Sequence, residues 1–102
     1  MADLEEAISV ARQAVNATLD DHPGRVVWLN NLGVILESRY ERTGVMANLE
    51  EAIRVARQAV NATPDGYPDR VTWLNNLGNK LSRRYKRTRV IADLREVISV
   101  TY

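Results

Sequence analysis

Apolar residues recur at spacings of three and four along most of the chain. Leu4, Ala7, Ile8, Ala11, Ala14 and Val15 form one series, the period of a helix that buries a stripe. Leu29, Leu32, Leu36 and Tyr40 mark a second helix over about 25–42. Between them, Leu19-Asp20-Asp21-His22-Pro23-Gly24 breaks the pattern. Thr43-Gly44 closes the second helix, Gly being common just past a helix end. The same pattern predicts further helices near 48–63, 70–87 and 93–101. Asp3 suits the N-cap of the first helix, and Glu5 and Glu6 suit its positive dipole end. Val10 and Val55 widen the stripes beyond a single seam, as expected of helices packed on two sides.

The series are copies of one another. Trp28-Leu29-Asn30-Asn31-Leu32-Gly33 recurs as Trp73-Leu74-Asn75-Asn76-Leu77-Gly78, 45 residues on, and residues 10–18 recur unchanged as 55–63. Of the first 45 positions, 32 match their counterparts, far beyond chance for a repeat of this period. Gly33 and Gly78 stand mid-helix, where Gly costs about 1 kcal/mol relative to Ala. A close approach of two helices would offset that cost.

Composition narrows the function. With 14 Lys and Arg against 13 Asp and Glu, the charge balance argues against a general nucleic-acid binder. The absence of Cys excludes disulfides and thiolate metal sites. No apolar run approaches a bilayer span and the N-terminus lacks a signal-peptide pattern, so a cytoplasmic protein without a membrane partner is expected. At 102 residues the chain supports a single domain.

The repeat resembles the tetratricopeptide repeat. On the first helix of each unit, Leu29, Leu32-Gly33 and Leu36 match that family's large-apolar and Leu-Gly positions, and Leu74, Leu77-Gly78 and Leu81 match them again. On the second helix Ala52, Ala56 and Ala59, followed by Pro64, match its small residues and terminal Pro, whereas Val97 and Thr101 depart from them. The family's usual period is 34 residues, so this repeat is a long variety. Its wording is similar to arrays in fungal multidomain proteins that follow a nucleotide-binding switch domain or precede a caspase-like domain. The resemblance implies an all-α, right-handed solenoid of about five antiparallel helices. It divides 1–102 into a half-unit 1–24, a full unit 25–69 and a partial unit 70–102, a framing expected of a piece of a longer array. It also implies a non-catalytic scaffold for protein–protein interaction.

No catalytic residue, cofactor or metal is expected. His22 is the single histidine and reads as a solvated loop residue. Glu5-Glu6 and Glu50-Glu51 are adjacent in sequence, so each pair diverges on a helix. Trp28 and Trp73 read as packing anchors between units. The family's first helices line a concave groove, and the resemblance makes Asn30, Asn31, Asn75, Asn76, Asn79 and Arg83 peptide-binding candidates. Alternatively, the Asn pairs bond between adjacent helices and fix their stacking. The family's lysine clamp for terminal carboxylates is not reproduced, since Asn30 and Asn75 stand in the lysine position. Arg83, Arg84, Lys86, Arg87 and Arg89 form the one basic run, a candidate anion site or a solvated helix end. Residues 1–51 carry net −5 and residues 52–102 net +6. This asymmetry, with apolar half-unit ends, makes a homo-oligomer through the terminal helices the alternative to a peptide or protein partner.

Overall fold

The computed structural model describes residues 2–19, 22 and 24–101, with the side chains at 2, 3, 100 and 101 outside the described set. Five α-helices follow in order: α1 (Ala2–Ala17), α2 (Gly24–Thr43), α3 (Met46–Asn61), α4 (Pro68–Thr88) and α5 (Ile91–Thr101). Each packs on the next, giving an all-α helical repeat of tetratricopeptide-like form. The helices form a slab of 38 × 36 × 15 Å.

The width of the apolar stripes explains this arrangement. One side of α3 places Ala52, Val55 and Ala59 in a core with Leu29, Leu32 and Leu36 of α2 and Ile8, Ala11 and Val15 of α1. Its other side places Leu49, Ile53, Ala56 and Val60 against Leu77 and Leu81 of α4. A helix apolar on two sides thus joins two cores, and Trp73 packs against both. Burial of a large aliphatic side chain contributes about 1.5–3 kcal/mol, and Leu36, Leu49 and Leu81 are fully enclosed.

Helix ends repeat with the sequence. Thr43 Oγ1 accepts from Val45 N–H and Thr88 Oγ1 from Val90 N–H, both at 3.2 Å. Arg70 donates to the Thr63 carbonyl at 2.8 Å, and Arg25 reaches the Val15 carbonyl at 3.4 Å. Each guanidinium thereby covers carbonyls at the end of the preceding helix. Gly44 has φ 71, and Arg89, its counterpart, adopts φ 62.

Two expectations are corrected. Asp3 falls within α1 rather than before it, because the helix begins at Ala2. The N-cap of α3 is Val45, with no side-chain cap. The side chain of Asp3 lies outside the described set, as do the expected breakers Asp20, Asp21 and Pro23. The glutamates are likewise not dipole partners, since they lie beyond the first turn. Glu5 pairs with Arg39 of α2, and Glu51 with Arg12 of α1 at 2.6 Å. Glu5 and Glu51 thus link helices. Gly33 is tight mainly against side chains: a Cβ there would lie 3.3 Å from Val55 Cγ2, 3.4 Å from Lys80 Cε and 3.6 Å from the Ala52 carbonyl.

Candidate interaction groove

α2 and α4 occupy equivalent places in successive copies and meet through polar side chains. Asn76 Nδ2 donates to Asn30 Oδ1 at 2.7 Å. Lys80 Nζ lies 3.4 Å from Glu37 Oε1, and Arg83 bridges Glu37 and Glu41. Arg87 donates to Tyr40 Oη and to the Gly44 carbonyl, each at 3.3 Å. Between the helices runs a groove of about 740 Å³. Val34, Glu37 and Tyr40 line it from α2, and Asn76, Asn79, Lys80, Ser82, Arg83, Lys86 and Arg87 from α4.

Lys80 is the unusual group. It is only 3% exposed, at the position Ile35 takes one copy earlier. A buried ammonium needs a counter-charge, and Glu37 supplies it. Glu37 in turn holds Arg83, so one carboxylate organises two cations in the groove wall.

The sequence candidates separate in space. Asn76, Asn79 and Arg83 line the groove, and half-buried Asn30 is bonded to Asn76. Asn31 lines a different pocket, between α1 and α2, with Trp28 and Val10. Asn75 is exposed on α4. The basic run also disperses. Arg83, Lys86 and Arg87 turn to the groove. Arg84 turns to α5, where its Nε and Nη2 donate to Asp93 Oδ2 and Oδ1 at 2.9 and 2.7 Å. That hydrogen-bonded pair raises the Arg84 guanidinium above its ordinary pKa. Arg89 caps α4 and lies over the Tyr85 ring, 5.6 Å from its centroid. His22 is exposed and accepts from Gly24 N–H at 3.0 Å.

Sequence reasoning missed Glu37, Tyr40, Glu41 and Lys80. A signal for three of them existed. The two copies differ at 34/79, 35/80, 37/82, 38/83 and 41/86, and each of these pairs has a member lining the groove. Core positions repeat because their packing repeats; five of the thirteen differences between the copies fall on the groove.

The arrangement presents a shallow, polar, net basic channel. Among the described residues no cluster of His, Cys, Asp or Glu could hold a metal ion. No helix among them is long and apolar enough to cross a membrane. No curated protein and no solved structure matches the chain. Residues 26–66, which span α2, α3 and most of the following loop, match the family described as tetratricopeptide repeat. This segment, whose sequence recurs in part before and after it along the chain, is therefore similar to a tetratricopeptide repeat, a type that generally mediates protein–protein interaction.

Proposed function

We propose that the protein is a non-catalytic scaffold that binds an extended peptide or a partner protein in the α2–α4 groove. The observation that supports this is the concentration of inter-copy differences on the groove walls, beside cores that barely vary. The walls carry Lys80, Arg83, Lys86 and Arg87 against Glu37, so the preferred peptide is acidic. Asn79 offers an amide that donates to and accepts from a peptide backbone. Lys86 is exposed and supplies charge to the groove without an ion pair of its own among the described residues.

The test is selection from a displayed random peptide library, followed by amide chemical-shift mapping with the best binder. Acidic peptides that shift residues 76–87, and that lose roughly tenfold in affinity or more on Asn79→Ala with Lys86→Ala, support the groove. Binders that map elsewhere, or a double variant that binds undiminished, overturn it.

A further inference from the structure

The 45-residue repeat gives each surface a counterpart, and some counterparts differ sharply in cover. The pocket between α1 and α2, about 540 Å³, is lined by Ala7, Val10, Trp28, Asn31 and Val34 among others. Val10 is 52% exposed there. One copy on, Val55 is only 2% exposed, because α2 lies over it with Gly33 against Val55 and Lys80. The α1–α2 pocket therefore has the shape that α2 fills one unit later. A helix that fits it needs the residues of α2 at the matching turns. α4 has them, with Leu74, Leu77, Gly78 and Leu81 in place of Leu29, Leu32, Gly33 and Leu36. In its own chain α4 sits at the other end of the slab, so the occupant is α4 of a second copy.

The element that α4 already holds supports the same geometry. Residues 92–100 of α5 repeat residues 2–10 of α1 at seven of nine positions, 90 residues apart. α5 is fastened by Asp93 to Arg84 and by Glu96 to Arg57. Asp3 and Glu6 occupy those two positions in the sequence of α1. Val71 of α4 is 62% exposed, whereas its counterpart Val26 is packed against the core that α3 completes.

We propose that copies of this chain associate head to tail by helix exchange: α1 of one copy takes the place of α5 on α4 of another, and that α4 fills the α1–α2 pocket. The repeat then runs on through the junction. The asparagines give the sharpest sign of it. Within the chain Asn76 donates to Asn30. Asn31 is the counterpart of Asn76, and Asn75 that of Asn30. Among the described residues the side chain of neither Asn31 nor Asn75 has a hydrogen-bond partner. Across the junction these two face each other in the register of the internal pair. Charge agrees, because the half with net −5 meets the half with net +6.

The chain contains no Cys, so single thiols report the junction directly. Asn31→Cys and Asn75→Cys proteins, mixed and treated with a short bis-maleimide, should give a linked dimer that neither gives alone. An Asn30→Cys, Asn76→Cys double variant should link within one chain and calibrates the reach. Light scattering over a concentration series should show a mass that rises with concentration. Val10→Asp should weaken association roughly tenfold or more while leaving the helical circular dichroism intact, since Val10 is exposed in the single chain. A constant monomer mass overturns the proposal. So does a dimer linked through Asn31→Cys alone, which would indicate two-fold pairing of the α1 ends. Association indifferent to Val10→Asp overturns it as well.

Discussion

Glu37 shows how one residue sets the character of a surface. It holds buried Lys80 and half-exposed Arg83 together. Removing its charge leaves the Lys80 ammonium enclosed without a counter-ion, whereas removing the ammonium leaves a carboxylate that still has Arg83. Breaking a buried pair from the side that strands a charge is the costlier change, and replacing a buried charge with an apolar group of similar volume is often neutral. Glu37→Gln is therefore expected to destabilise the protein by about 2 kcal/mol. Lys80→Met is expected to fall within about 1 kcal/mol of the parent. Urea unfolding of the two variants checks the asymmetry; equal losses would mean that the pair is not organised by burial of Lys80.

At the scale of an element, the copies make a controlled comparison of helix ends. α2 is followed by Gly44 and α4 by Arg89, both in the left-handed region. Gly enters that region without the Cβ clash an L side chain meets there. Arg89 recovers part of the cost through its contact with the Tyr85 ring, an exposed interaction of roughly 0.5–1 kcal/mol. Arg89→Gly should raise stability by a few tenths to about 1 kcal/mol. A thermal midpoint at or below that of the parent would show that the ring contact outweighs the backbone strain. The element scale also explains the misplaced N-cap. Asp3 resembles a cap in sequence, but Thr43 and Val45 show that the chain already turns before this position in the complete copy.

At the scale of the whole molecule, stability is distributed as in a quasi-one-dimensional stack. α3 belongs to both cores, whereas α5 packs on one side and leaves Leu94 and Ile98 exposed. Hydrogen exchange should therefore protect α3 amides most and α5 amides least, α5 opening without global unfolding. Uniform protection along the chain would contradict this gradient. The same gradient bears on helix exchange, because the element displaced is the one held least.

Much of this was legible in the residues alone. The 3–4 spacing, the breakers and the 45-residue self-similarity determined five helices and their order, because local hydrogen bonding and burial of a periodic stripe are properties of neighbouring residues. The wide stripe of α3 foretold a helix buried on two sides. The candidate site was only partly legible. Asn76, Asn79 and Arg83 line one groove, but Asn31 turned to α1 and Arg84 to α5. One residue is 100° on a helix, so adjacent asparagines face different neighbours, and only packing decides which. Ion pairs such as Glu37 with Lys80, Arg57 with Glu96 and Arg84 with Asp93 join separate helices. Spacing along the chain does not determine such partners; the tertiary structure alone assigned them, by setting how far each helix is rotated about its own axis.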